Sequence, residues 1–421
     1  MEQTFSSRNY NSNFSWQNRA LIIIQYIFFK TIGLSPWALN LAQIVKKCRG
    51  RNFSNQTITI TTSVYGSLYN IILSLLIIIY NILCFLYEFV YNENDLHIAI
   101  AVRVSLRISG GMAIIVVWIS YILRQKLIIQ TVRKFVNVDR ILAKCCYKTN
   151  QPINDNYVNL VILSHFILSF VGLIVVLKVY PIIIIPVRYV PAVINSWVMT
   201  QYSLILNMMI NRLKIINTRI LKLGNVETSI KSRVILAERP PLTDPKLVAF
   251  DLRHISSAHS QLSELSSEVS NFFGIPILLV IIYSGVSGTV YLYFVIFSFF
   301  EKYKQENIIN YFSVGLWFSY MILSFIFMTT NVTRIKVQVL QKFHLFSKLY
   351  RLAFFRVNKP LKLFIWFWIG FLEFSRNLLH QKMEFNACGI ISLDNSLLFA
   401  VSGTIVTYLI ILIQFRINNQ V

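Results

Sequence analysis

The chain has 421 residues, of which 55% are hydrophobic types and only 14% are charged. Soluble domains usually carry about 25% charged residues, so this composition excludes an ordinary soluble protein and indicates an integral membrane protein. Forty Lys and Arg against 17 Asp and Glu give a formal net charge of +23. Nucleic acid is a common partner of such basic chains. Here the basic residues lie beside long apolar runs, so we expect membrane lipid as the partner and no nucleic acid.

Seven apolar segments approach or exceed the roughly 20 helical residues that cross a hydrocarbon core. We therefore predict an all-α integral membrane protein with seven transmembrane helices, at residues 62–91, 99–123, 157–179, 191–210, 272–300, 308–330 and 397–415. The apolar run at residues 20–29 is too short to span, and the N-terminus is expected to remain uncleaved. Residues 361–372 are also strongly apolar, but their uncharged part is short, so we expect a helix that does not span.

Lys and Arg gather on one side of these spans. With the N-terminus inside the cell, 33 of the 40 lie in the N-terminal segment and the inner loops, five lie outside, and two lie within the second span. Cytoplasmic loops carry such an excess, so we predict a cytoplasmic N-terminus and an extracellular C-terminus. The stretches at residues 127–142 and 247–271 have helical spacing, which predicts long cytoplasmic helical extensions of the spans.

The sequence contains no nucleotide-binding, zinc-protease or serine-hydrolase motif, and its six histidines lack metal-ligand spacing. We expect no enzymatic activity, metal or cofactor. Charged residues within a span often have a functional role. Arg103 and Arg107, one turn apart, either line a polar pocket open to the outside or lie at the membrane edge and pair with nearby acidic residues.

Small and polar residues recur along the last span at steps of three and four, on one helix face: Ala400, Thr404, Thr407, Ile411 and Gln414. A polar side chain in lipid is costly unless it finds a partner or water. This polar stripe is therefore either a helix-packing seam or one wall of a pore that is repeated around a symmetry axis.

The end of this span resembles the signature of insect gustatory receptors, which is Thr-Tyr, five hydrophobic residues and Gln-Phe. Here it reads Thr407-Tyr408-LIILI-Gln414-Phe415. Shorter similarities lie before the span and near the N-terminus, at residues 374–382 (FSRNLLHQK, with His380), Ala387-Cys388-Gly389, Leu393-Asp394, Leu397-Leu398 and Gly33-Leu34-Ser35-Pro36. The similarity is dense over residues 372–415 and diffuse elsewhere.

The resemblance implies a ligand-gated, non-selective cation channel in the plasma membrane of chemosensory neurons, opened by small-molecule tastants. Seventh helices would surround the pore of a homo- or heterotetramer, with Gln414 and Phe415 at the outer gate and Ile411 and Thr407 below it. Tastants would enter an outward-facing pocket among the first six spans, where Arg103 and Arg107 are candidates.

The same resemblance divides the chain into a cytoplasmic N-terminal segment (residues 1–61), six spans with the ligand pocket and helical loops (62–330), cytoplasmic anchor helices (331–396), and the pore-lining span with a short extracellular tail (397–421). Two features depart from the family. Leu409 stands where sugar-responsive members often have an acidic residue, which argues against a sugar ligand and leaves a bitter-type ligand open. Residues 365–368 are aromatic where a polar linker is expected.

Two other classes remain as alternatives. A G-protein-coupled receptor also has seven spans, but its N-terminus lies outside, which would reverse the charge distribution. A multi-pass transporter would show paired, broken spans, and a membrane-bound enzyme would place His or Asp in a membrane cavity.

Overall fold

The structure is a computed structural model that describes residues 16–39, 60–91, 97–145, 155–179, 185–223, 245–300, 308–355, 376 and 383–418. In chain order its elements are α1 (Trp16–Thr31), β1 (Ala38–Leu39), β2 (Ile60–Thr61), α2 (Val64–Tyr91), α3 (His97–Leu123), α4 (Gln125–Cys145), α5 (Asp155–Val179), α6 (Ile185–Leu223), α7 (Pro245–Phe300), α8 (Ile308–Phe355), β3 (Asn386–Ala387), β4 (Ile391–Ser392) and α9 (Ser396–Asn418).

Seven long helices lie where the sequence predicts the seven spans, which confirms the all-α transmembrane fold. Within the described residues, six of them, α2, α3, α5, α7, α8 and α9, contain a stretch long and apolar enough to cross a membrane. Helix α6 differs because it lies inside the bundle, where every residue from 191 to 203 is buried. Since protein surrounds this stretch, it can carry polar side chains that lipid-facing helices exclude.

The predicted extensions are present as continuous helix. Helices α6, α7 and α8 run well past their spans on the side where the basic residues gather, and α4 follows α3 after Arg124 alone. Helix α4 packs on α7, where Lys134 Nζ lies 2.5 Å from Glu268 Oε1 and Asn137 Nδ2 donates to Gln261 Oε1 at 2.9 Å. Residues 361–372 and His380 lie outside the described residues.

The Gly33-Leu34-Ser35-Pro36 motif forms a buried loop between α1 and β1, and Gly33 adopts a positive φ of 77° that favours glycine. The first pair of short strands is antiparallel, with Ala38 opposite Thr61. Side chains from three spans donate hydrogen bonds to carbonyls of this loop and the residue before it: Trp118 to Ile32 at 3.0 Å, Asn70 to Gly33 at 2.8 Å and Gln201 to Leu34 at 3.2 Å. The loop therefore joins α2, α3 and α6.

Replacing Gly66 with alanine is expected to displace this loop. A Cβ at Gly66 would lie 1.9 Å from the carbonyl oxygen of Pro36, and backbone atoms yield less readily than a side chain, so the cost should exceed the roughly 1–3 kcal/mol of ordinary overpacking. We expect most of the protein to be lost from the monodisperse peak in fluorescence-detected gel filtration. Gly285→Ala is the matched control, because nothing lies within 4 Å of its added Cβ. Equal recovery of the two variants would contradict the assigned contact.

Candidate pore helix and ligand cavity

The start of α9 is fixed by Asp394. Its Oδ1 accepts a hydrogen bond from the main-chain N–H of Ser396 at 3.1 Å, and its own carbonyl accepts from Leu397 at 3.0 Å, which is the arrangement of a helix N-cap. Its Oδ2 lies 2.6 Å from Lys336 Nζ on α8. The bonds from Lys336 and Ser396 hold the pKa of the Asp394 carboxyl well below its usual range, so the carboxylate ties α9 to α8.

A β-hairpin precedes this cap, and the Ala387-Cys388-Gly389 motif lies at its turn. Asn386 pairs with Ser392 in the antiparallel β3–β4 ladder, and Cys388 and Gly389 take positive φ angles of 54° and 73° in its loop. The hairpin lies close against α7, where a Cβ added at Gly274 would be 3.1 Å from the amide nitrogen of Cys388. The chain therefore enters α9 from a fixed position on α7.

One side of α9 packs against α7, and Ile405 lies on that side. A Cβ at Gly288 of α7 would lie 3.0 Å from Ile405 Cδ1, and the half-buried residues Val401, Leu409 and Leu412 share that side. All five residues of the polar stripe are exposed. At 3.6 residues per turn the centre of the stripe lies about 140° around the helix from the packed side, so the stripe faces away from the rest of the chain.

The stripe is compatible with either water or protein contact. The hydroxyl of Thr404 donates to the carbonyl of Ala400 at 2.8 Å, and that of Thr407 donates to the carbonyl of Gly403 at 2.9 Å. These bonds satisfy the hydroxyl protons and leave oxygen lone pairs directed away from the helix. Gln414 presents an exposed amide at the far end, whereas the side chain of Phe415 lies outside the described part of the structure.

A cavity opens between α5, α6, α7 and α8, at the ends of these helices that lie away from the basic extensions. About 610 Å³ of space not filled by atoms lies within the cavity and its mouth, and part of this space is open to solvent. All twelve lining residues are uncharged, and they include Gly172, Tyr189, Tyr291, Ser313, Trp317 and Tyr320. The cavity is therefore suited to an uncharged organic ligand.

Buried polar side chains adjoin the cavity where α5, α6 and α8 meet. The Tyr320 hydroxyl lies 2.9 Å from Ser169 Oγ, and His165 Nε2 lies 2.9 Å from Ser324 Oγ, which also bonds to Ser196. These residues were not predicted from the sequence as part of a site. The sequence does show His and Ser inside apolar spans, which is unusual enough to indicate a candidate polar cluster. A single sequence does not reveal which of these side chains face one another.

Of the two arginines of the second span, only Arg107 can be compared with the cavity. Arg107 is half-buried on α3 and is not among the residues that line the cavity between α5, α6, α7 and α8. The side chain of Arg103 lies outside the described part of the structure. A pocket formed by these arginines stays a prediction.

The known proteins that this chain resembles are all chemosensory receptors. The family model described as 7tm chemosensory receptor matches residues 22–419. The chain is similar to three proteins of Drosophila melanogaster: gustatory receptor 28b (47% identity over 47 residues, 11% of this chain and 10% of the relative), gustatory receptor 28a (22% over 180 residues, 41% and 37%), and the gustatory receptor for bitter taste 66a (50% over 46 residues, 11% and 9%). The matched segments thus span less than half of each relative.

The fold is also that of a solved receptor. The chain superposes on the insect olfactory receptor OR5 from Machilis hrabei with a TM-score of 0.58 at 14% sequence identity, covering 95% of this chain and 99% of OR5. This likeness establishes the arrangement of helices and not the ligand. Since the family model extends over nearly the whole sequence, the chain belongs to the 7tm chemosensory receptor family.

Proposed function

We propose that this protein is a subunit of a tastant-gated, non-selective cation channel in the plasma membrane of chemosensory neurons. The observation that supports this most strongly is the exposed polar stripe of α9. A single chain leaves the polar side chains of Thr407 and Gln414 exposed on a mostly apolar helix, with the exposed Ile411 between them. Exposure of this face to lipid is unfavourable, whereas a ring of such helices would turn it toward a water-filled path.

The assembly we propose is a homo- or heterotetramer with related subunits, in which the α9 helices surround the pore. Gln414 and Phe415 form the gate at its outer end, and Ile411 and Thr407 line the path below. This assignment follows the Thr-Tyr to Gln-Phe motif and the direction of the stripe. Residues 331–396 are the proposed anchor that holds neighbouring subunits together on the cytoplasmic side.

The proposed ligand is an uncharged, non-sugar tastant bound in the cavity between α5, α6, α7 and α8. Among the described residues its lining carries aromatic rings and no charged side chain, and Leu409 follows Thr407-Tyr408 where an acidic residue would favour a sugar. A relative named for bitter taste makes a bitter-type compound the first class to test. On the predicted orientation the cavity opens to the outside of the cell.

Expression of this chain alone in cells, with calcium imaging across a panel of tastants, tests the proposal. We expect a calcium rise that begins with ligand addition and persists when G-protein signalling is blocked. An N-terminal tag on the same protein should remain unlabelled on intact cells. Labelled N-termini and loss of the response under the block would instead support a G-protein-coupled receptor.

A further inference from the structure

Ser169 of α5 joins three helices at the wall of the cavity. Its hydroxyl donates to the carbonyl of His165 at 2.7 Å, which uses its one proton. The Tyr320 hydroxyl of α8, 2.9 Å away, must therefore be the donor to Ser169 Oγ. Trp197 Nε1 of α6 donates to the same oxygen at 3.3 Å. One serine oxygen thus fixes side chains from two other helices.

The same turn of α5 also holds Tyr189. The Tyr189 hydroxyl donates to the main-chain carbonyl of Ser169, and its ring lies so close to the helix that a Cβ at Gly172 would be 3.1 Å from Tyr189 Cε2. Tyr189 and Tyr320 come from α6 and α8, and both line the cavity. Their hydroxyl protons are committed to Ser169, so their rings have fixed positions.

Two further aromatic rings complete the lining. The centroids of Tyr291 and Trp317 lie 4.6 Å apart, with their planes tilted by 45°. A planar ring can make offset or edge contacts with such surfaces, which add to simple area burial. Because none of the described lining side chains is charged, a charged ligand would lose its hydration there without gaining a counter-charge.

We propose that the cavity selects uncharged compounds with a planar ring, and that Ser169 is the positioning residue that sets this selectivity by holding Tyr320 and Trp197. The proposal rests on the proposed function, in that the cavity is taken as the site of the ligand that opens the channel. Removal of the Ser169 hydroxyl takes the Oγ acceptor away from Tyr320 and leaves Tyr189 on its main-chain acceptor. The cavity then loses part of its fixed shape without losing its apolar lining.

The test measures binding to the purified full chain in lipid nanodiscs by calorimetry, which does not require ion conduction. The probes are phenylpropanol, cyclohexylpropanol and phenylpropanoate. The two alcohols differ only in whether the ring is aromatic, and phenylpropanoate carries a charged carboxylate in place of the alcohol group. For the unaltered chain we expect phenylpropanol to bind about fivefold more tightly than cyclohexylpropanol. Phenylpropanoate should bind most weakly of the three.

Variants then assign the selectivity to the hydrogen bond. Ser169→Ala and Tyr320→Phe remove the same bond from opposite partners, so each should bring the ratio of the two alcohols close to one, and the double variant should change it no further. Ser319→Ala is the control, because Ser319 is exposed beside Tyr320 and bonds only within its own helix in the described structure. Its ratio should equal that of the unaltered chain.

Several results would overturn the proposal: equal binding of the two alcohols, stronger binding of phenylpropanoate, no binding of any probe, or an unchanged ratio in Ser169→Ala and Tyr320→Phe. If one variant fails to fold, the other removes the same bond, and the probe order in the unaltered chain still tests the ring preference. Selective binding without ligand-evoked currents would refute the proposed channel and leave this inference standing. Ligand-evoked currents without selective binding would refute only the inference.

Discussion

Replacing Gln414 with alanine is expected to change ion permeation while leaving the amount of protein at the cell surface unchanged. Gln414 is exposed at the far end of the polar stripe, so its truncation should disturb little of the packing within the described part of the chain. An amide dipole that contributes about 1 kcal/mol to the permeation barrier would alter the rate of ion passage roughly fivefold. Single-channel recording of the variant measures this as a changed unit conductance.

The control for Gln414 is Val406→Ala. Val406 is exposed on α9 outside the stripe, so its truncation should leave the unit conductance as in the unaltered channel. The proposed pore assignment fails if Gln414→Ala conducts normally at equal surface abundance, or if Val406→Ala has the larger effect. A double variant that adds Thr407→Val tests whether the stripe acts along its length.

Breaking the link between Lys336 and Asp394 is expected to weaken the coupling between ligand binding and pore opening. Helix α8 contributes Trp317 and Tyr320 to the cavity and Lys336 to the start of α9, so it connects the two sites physically. Asp394→Asn keeps a good N-cap and removes the ion pair. Since the pair is partly exposed, with side-chain exposures of 40% and 26%, it is worth at most about 1 kcal/mol.

The ligand concentration for half-maximal current should therefore rise up to about fivefold in Asp394→Asn, while binding measured without conduction stays the same. Lys336→Gln should give a similar shift, and the two changes together should not add. Asp139→Asn is the matched control, because Asp139 pairs with Arg212 at 2.6 Å and this ion pair joins α4 to α6 rather than α8 to α9. Equal shifts in Asp139→Asn and Asp394→Asn would contradict a specific link.

Acidity gives a further check on the same ion pair. The pKa of Asp394 is lowered, chiefly by Lys336, so the ionised carboxylate stabilises the folded link at any pH above the ordinary value of about 3.9. That contribution is lost only as the pH falls through the lowered pKa. The difference between the unaltered channel and Asp394→Asn should therefore be the same at pH of about 7 and about 5.

The membrane helices could be predicted from sequence because their signal is local. Apolar length located α2, α3, α5, α7, α8 and α9, and the capping carboxylate of Asp394 lies directly before the last of them. Helix α6 shows where this reasoning is least secure. Its buried stretch includes Asn195, Ser196 and Thr200, and it can be polar because neighbouring helices, and not lipid, surround it.

The cavity could not be predicted because its residues meet only in the folded chain. Ser169 and Tyr320 lie 151 positions apart in the sequence, and Tyr189 comes from a third helix. The arginines of the second span attracted attention because charge in a membrane is rare, yet Arg107 is not among the residues that line this cavity. The short Gly33-Leu34-Ser35-Pro36 motif was recognised by resemblance. Only its hydrogen bonds in the structure show that it connects several spans. Membership of a receptor family agrees with the expectation that the chain is not an enzyme.

The central claim is that copies of this chain form an ion path lined by α9. The most direct measurement is single-channel recording from the purified chain in a planar lipid bilayer that contains no other protein, with a ligand found in the calcium-imaging panel. We predict discrete cation currents that need the ligand and whose unit conductance changes in Gln414→Ala. Ligand binding without currents in this bilayer would contradict the account. So would a unit conductance that stays the same when each residue of the polar stripe is substituted.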